Sequence, residues 1–229
     1  GTSTVTNNDG SIASQVRANP SAGFSIVTYS GNSVTGATIG HGLNALVEFF
    51  IVKADDWRVY HSALGTSKII ALNSTSAASS AGNWQSVSST TIGLQNDAAI
   101  NSSAYTYVAY CFAPVAGYSA MGSFDPNGTT DNAFVYTGFR PKFILARFTS
   151  TGDWMMLDTS RRPNGPSGGT LVASVSNAED SYYNSSQVGF DFLSNGFKIR
   201  HSGSPMGDSG KTVIYYAVAE HPFKTARAR

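Results

Sequence analysis

The densest concentration of reactive side chains in the chain is "ADDWRVYHS", residues 54–62, which holds Asp55, Asp56, His61 and Ser62 with Trp57 and Tyr60 between them. A carboxylate, an imidazole and a hydroxyl are the components of nucleophilic acyl or glycosyl chemistry, provided they converge on one point. The stretch itself reads as an apolar run, a short polar turn ending in Asp56 and a Trp-led strand, which is a β-hairpin signal. In an extended strand His61 and Ser62 face opposite sides, so the expected reading is a hairpin and not a triad.

Other chemistry-bearing residues are scattered. His41, His61, His201 and His221 have no metal-ligand spacing, and the chain lacks HExxH, CxxC and an Asp-rich calcium loop, so neither a metal site nor a cofactor is expected. "GDSG" (207–210) and "SGGT" (167–170) lie outside any strand-to-helix context, and no His and Asp framework accompanies the serine. Asp56, Asp153 and Asp191 read as turn or hairpin residues, although paired carboxylates for glycoside hydrolysis can come from distant positions. No catalytic residue is assigned. For ligand contact, an exposed ring offers sugar an apolar platform with a polar rim. Trp84 in "AGNWQS" is the first candidate, with Tyr182 and Tyr183 in "DSYYNS" at the corresponding place of a second copy, and Arg161 and Arg162 in "RRPNGPSGG" as partners for acidic polysaccharide.

The second copy emerges from self-comparison. "EFFIVKADDWRVYHS" (48–62) is echoed by "KFILARFTSTGDWMMLDTS" (142–160), which aligns Phe49 with Phe143, Lys53 with Arg147 and Asp56-Trp57 with Asp153-Trp154. Gly42-Leu43 matches Gly138-Phe139, "YSGN" (29–32) matches "FDPN" (124–127), and "TYVAYCFA" (106–113) matches "TVIYYAVA" (212–219). Asp158 and Thr159 stand where the first copy has His61 and Ser62. The apolar anchors persist and the reactive letters do not.

Strand-like runs bounded by Gly, Asn, Asp and Ser recur along the chain, and no window shows a 3.6-residue apolar period, so an all-β fold is expected. Its simplest form is two similar β-sandwich-like repeats in tandem, residues 24–117 and 118–229, preceded by an extended polar arm or linker at 1–23. The runs at 107–113 and 213–219 read as strands covered on both faces. "LSNGFK" (193–198) predicts a hairpin centred on Asn195-Gly196 in a type I′ turn. Cys111, the single cysteine, lies in an apolar run and reads as a buried small hydrophobe.

Only 13% of residues are charged and the net charge is +1, which removes the electrostatic basis for nucleic-acid binding. No apolar run approaches the ~20 residues of a membrane span, so no membrane insertion is expected. A first residue of Gly rather than Met is expected for a fragment or processed chain, and "TARAR" fits a natural chain end.

"AGFSIVTYSGN" (22–32), "GATIGHGL" (36–43), "WRVYHSALG" (57–65), "TYVAYCFAPVAGYSAMGSF" (106–124), "FVYTGFRPKFI" (134–144), "SNGFKIR" (194–200) and "AEHPFKTARAR" (219–229) carry a family likeness over nearly the whole chain. The sequence resembles the tandem β-domain in C-terminal regions of bacteriophage tail-fibre and other virion structural proteins, of the type found in marine phages. "ALVEFF" departs from that family's usual small, Pro-containing lead into the strand. The resemblance implies a noncatalytic host-surface receptor-binding domain on the virion, extracellular after release. It also implies a homotrimer, with other tail or fibre proteins as partners and a bacterial surface glycan or other receptor as ligand. Rival expectations are a polysaccharide-depolymerising tailspike-like enzyme and a purely structural spacer or capsid decoration protein. Host, receptor and virion position are not legible in the sequence.

Overall fold

The computed structural model describes residues 3–80, 83–161, 170–179 and 189–222. Among the described residues there is no α-helix, only two short 3-10 turns between strands, and no helix long and apolar enough to cross a membrane. The chain divides into two compact units, one formed by residues 1–72 and 78–115, the other by 73–77 and 116–229.

Unit 1 contains β1 (Val5–Asn7), β2 (Ser14–Asn19), β3 (Phe24–Ser30), β4 (Thr38–Gly40) and β5 (Phe49–Lys53). It continues with β6 (Trp57–His61), β7 (Ile70–Ala71), β8 (Trp84–Val87), β9 (Thr91–Leu94) and β10 (Thr106–Phe112). Seven of these strands form one sheet in the order β1-β2-β3-β10-β5-β6-β7, and β4-β9-β8 form a second. Val27, Phe50, Val52, Tyr107 and Ala109 from the large sheet meet Ile39, Trp84, Ile92 and Leu94 from the small one in a single buried cluster. Alternation of side chains across each strand supplies the two inner faces, as a β-sandwich requires.

Unit 2 contains β11 (Ser119–Phe124), β12 (Phe134–Tyr136), β13 (Pro141–Phe148) and β14 (Met155–Asp158). Its remaining strands are β15 (Leu171–Val172), β16 (Phe190–Leu193), β17 (Gly196–Ile199) and β18 (Val213–Ala219). Its sheets run β11-β18-β13-β14-β15 and β12-β17-β16. Strand for strand this is the order β3-β10-β5-β6-β7 and β4-β9-β8 of unit 1. Register agrees as well: Phe49 opposes His61 where Phe143 opposes Asp158, and Ile39 opposes Ile92 where Val135 opposes Phe197.

Three expectations need correction. Residues 1–23 are not a free arm, because β2 pairs with β3 from Gln15↔Thr28 to Asn19↔Phe24 and Ile12 and Val16 are buried. The polar composition hid this: Ala18 is small where Gly42 comes so close that an added Cβ would sit 3.0 Å from Val16 and 3.4 Å from Ala18. Second, the hairpin at 193–198 turns on Ser194-Asn195, since Leu193 pairs with Gly196, and neither Asn195 nor Gly196 has positive φ. Gly196 is needed for a different reason, namely that a Cβ there would lie 2.1 Å from the carbonyl oxygen of Val135 on β12. Third, β10 alternates between buried and half-buried positions, so its outer face is only partly covered.

Cys111 is wholly buried, and desolvation pushes its thiol up to about 12. The native protein is therefore expected to resist thiol reagents such as DTNB at pH 8, reacting only as fast as it unfolds. Replacing Ile12 with Ala is expected to destabilise unit 1 by about 2 kcal/mol or more, seen as a lower urea midpoint. A free arm would leave the midpoint unchanged.

Candidate functional site

The geometry of β6 separates the reactive residues of the 54–62 stretch. Asp55 and Asp56 occupy the β5-β6 turn, whereas His61 ends the strand and Ser62 begins a 3-10 turn, Ser62–Leu64. Five strand residues place the two ends roughly 16 Å apart. His61 is buried, its Nδ1 accepts from the Ala63 amide at 3.1 Å, and its ring meets Phe49 edge-on. That imidazole caps a turn. His41 is likewise buried, with Nδ1 accepting from the Leu43 amide, and burial lowers its pKa. Among the described residues no group of three or more His, Cys, Asp or Glu is placed to hold a metal ion.

The sequence candidates for ligand contact fare unevenly. Trp84 is only 3% exposed, with its ring T-shaped against Phe50 at 4.7 Å and Tyr60 at 6.4 Å, so it is a core residue and not a surface platform. Polar neighbours in "AGNWQS" made it look like loop. Its pairing with Leu94 on β9, which turns it inward, is a long-range contact. Arg161 is half-buried and paired with Asp158 at 2.5 Å, an ion pair that fixes the residue beside its own strand end. Arg162, Tyr182 and Tyr183 lie outside the described residues.

A solvent-open cleft of about 330 Å³ lies at the β5-β6 turn, lined by Asp55, Asp56, Arg58, residues 97–99 and Tyr105. Its wall at 97–105 is held from beneath by two stacked tyrosines, Tyr29 and Tyr107, with ring centroids 5.2 Å apart. Tyr29 donates its hydroxyl to the Ile100 carbonyl at 2.6 Å, and Tyr107 donates to the Ala98 carbonyl at 2.7 Å while accepting from the Ser102 amide at 2.9 Å. Burial raises both phenol pKa values, so both remain protonated donors. Asn101, also buried, donates to the Val34 carbonyl and accepts from the Asn32 amide.

The β5-β6 turn that carries Asp55 and Asp56 is held by Lys53, which lies 5.5 Å from the Trp57 ring centroid and donates to the carbonyls of Ala54 and Asp55. Arg58 pairs with Asp56 at 2.9 Å. Tyr105 is 42% exposed, its ring edge-on to Tyr107. Three carboxylates, one guanidinium and a phenol ring around an open cleft can accept hydrogen bonds from a hydroxyl-rich ligand while one ring packs against its apolar side. Tyr105 escaped the sequence reading because it abuts the β10 run and looked like its first strand residue.

A family model described as "Domain of unknown function (DUF7483)" matches residues 1–222. The chain belongs to the DUF7483 family. No curated protein and no solved structure matches it. For this DUF7483 member, Tyr107→Phe removes the hydroxyl that joins Ala98 to Ser102. The expected result is faster amide hydrogen exchange confined to residues 97–105 and a stability loss of about 1–3 kcal/mol. Unchanged exchange there would show that the wall does not depend on Tyr107.

Proposed function

We propose that this chain is a noncatalytic receptor-binding domain of a bacteriophage tail fibre, and that it contacts a bacterial surface glycan through the cleft formed by Asp55, Asp56, Asp97 and Tyr105. The observation that carries the reading is a cleft open to solvent whose 97–105 wall is pre-set by hydrogen bonds from the buried Tyr29, Tyr107 and Asn101, so little ordering of that wall is required when a flexible ligand arrives. The sequence resemblance to virion tail-fibre domains supports the viral setting. Low charge and a surface rich in Ser, Thr, Asn and Gly fit an extracellular particle component. In this reading the chain acts as a homotrimer alongside other tail or fibre proteins. Millimolar single contacts become firm attachment because each later contact is effectively intramolecular.

A tailspike-like depolymerase is the rival favoured by the three carboxylates around the cleft. Against it, His61 and Ser62 lie at the far end of β6, and the His61 Nδ1 is already engaged in capping. A structural spacer or capsid decoration protein is the third reading, and it would bind no host cells.

The test is an array of bacterial capsular and lipopolysaccharide fragments, read with the purified oligomer and with Tyr105→Ala. Binding to a subset of glycans, weakened about threefold to tenfold per site by the substitution, is expected. Release of shorter oligosaccharides from capsule would replace the adhesin with an enzyme. Absence of binding to every glycan and to host cells would leave the spacer.

A further inference from the structure

In unit 1 the strand β4 is covered by the chain's own residues 7–14. Ile12 donates its amide to the Thr38 carbonyl at 2.9 Å, the Ser11 amide donates to the Thr38 hydroxyl, and the Thr38 amide donates to the Ser11 hydroxyl. The Ser14 hydroxyl donates to the Gly40 carbonyl, and a Cβ on Gly40 would sit 1.7 Å from Asn7 Oδ1. In unit 2 the corresponding strand is β12, where Phe134 stands in place of Thr38 and Tyr136 in place of Gly40. Among the described residues no comparable cover precedes β12 within unit 2, because only residues 113–118 separate β10 from β11 and six residues span at most about 20 Å. A Tyr in place of Gly40 would in any case exclude a segment laid down as residues 7–14 are.

The consequence is an exposed aromatic strip. Phe134 is 46% and Tyr136 67% exposed, while Val135 between them points into the core. Two rings at i and i+2 lie on one face, about 7 Å apart. The sheet register sets Lys198 and then Asp191 beside Phe134, and Gly196 and then Leu193 beside Tyr136. Gly196 leaves the floor bare, and a Cβ there would also press on the Phe134 ring at 3.2 Å.

Four charged groups rim the strip. Lys198 Nζ lies 2.6 Å from Asp131, Arg200 Nη1 lies 3.2 Å from Asp131, and Arg200 Nε lies 2.6 Å from Asp191. Two cations and two carboxylates cancel, so the rim selects neither an anion nor a cation. It remains wet, since the Asp131 side chain is 79% exposed. Burial of this network against a protein face would desolvate charged groups. Sugar hydroxyls replace water at those groups without that loss.

We propose that the outer face of β12 and β17 is a platform for neutral saccharide, with Phe134 and Tyr136 stacked on the apolar faces of pyranose rings and Asp131, Lys198 and Arg200 hydrogen-bonded to their hydroxyls. This site lies in unit 2 and is separate from the cleft of unit 1. It rests on the adhesin reading only for the source of the glycan.

The test uses the full chain against immobilised neutral hexasaccharides of glucan, mannan and galactan type, with a sulfated glycan as charged control. Phe134→Ala and Tyr136→Ala are each expected to weaken neutral-glycan binding about threefold to tenfold, the double variant to weaken it more than either alone and Phe134→Trp to retain it. Both side chains are exposed, so the variants should keep the wild-type melting temperature. The fold loss caused by Phe134→Ala and by Tyr136→Ala is expected to be the same in a Tyr105→Ala background, which separates the platform from the cleft. Wild-type binding by the double variant would overturn the proposal, as would failure of every neutral glycan to bind at millimolar concentration. A loss of oligomer mass in the double variant without any glycan binding would overturn it in favour of a self-association surface.

Discussion

In each unit a cation is held over a tryptophan at the turn of its central hairpin. In unit 2 the Arg147 guanidinium lies 5.4 Å from the Trp154 ring centroid and is wholly buried. It donates to the carbonyls of Phe148, Ser150, Ser74, Thr75 and Ser76. Burial lowers its pKa to about 10 even with Asp153 acting in the opposite direction, so it still carries its charge at neutral pH. The same place in unit 1 is filled by Lys53 over Trp57, a point charge with three donors in place of a planar fork with five. Lys53 reaches only its own turn, at Ala54 and Asp55. The two turns also differ in length. Three residues separate Lys53 from Trp57, and the resulting tight turn directs Asp55 and Asp56 to an open cleft. Six residues separate Arg147 from Trp154, and that longer turn closes on residues 73–77, with the Gly152 amide donating to the Thr75 carbonyl.

One strand order thus supports two different surfaces. Unit 1 uses β1, β2 and residues 7–14 to extend its large sheet and cover β4, which demands small residues, Thr38 and Gly40, beneath the cover. Among the described residues unit 2 has no such segment before β11, and the positions that correspond to Thr38 and Gly40 hold Phe134 and Tyr136. The cores diverge less. Val27, Phe50, Tyr107 and Ile92 in unit 1 and Ile144, Ala146, Tyr215 and Phe197 in unit 2 come from corresponding sheets and are all buried. Packing tolerates changes in side-chain size only in compensating sets, whereas a surface position answers to no neighbour but its ligand.

What the sequence disclosed follows the same division. Apolar runs bounded by Gly, Asn, Asp and Ser marked β3, β5, β10, β13 and β18 as strands, and the all-β class followed from them. Strands with small or polar inward residues stayed hidden: β2 turns Ser14 and Ala18 inward, and β4 is three residues long with Gly40 as its last member. Asn195-Gly196 carried a turn signal, yet the glycine answers to the Val135 carbonyl, a partner sixty-one positions away in the chain. Trp84 and Tyr105 show the same limit from both sides. Local polarity made a core ring look exposed and an exposed ring look like strand, because accessibility is decided by residues distant in sequence.

The two proposed contact sites differ in a way that bears on attachment. The cleft is concave, acidic and held by buried tyrosines, whereas the β12 strip is flat, electrically balanced and backed by a sheet. A flat aromatic platform accepts many sugar sequences weakly, since every pyranose has an apolar face, while a cleft with fixed carboxylates discriminates hydroxyl positions. In the proposed reading, capture of a long glycan by the strip would raise its local concentration at the cleft, and selectivity would then be exercised on ligand already held. That gain depends on a polysaccharide long enough to engage both sites. If a long glycan binds no more tightly than the better of two short fragments, the sites act alone and the case for cooperation between them fails.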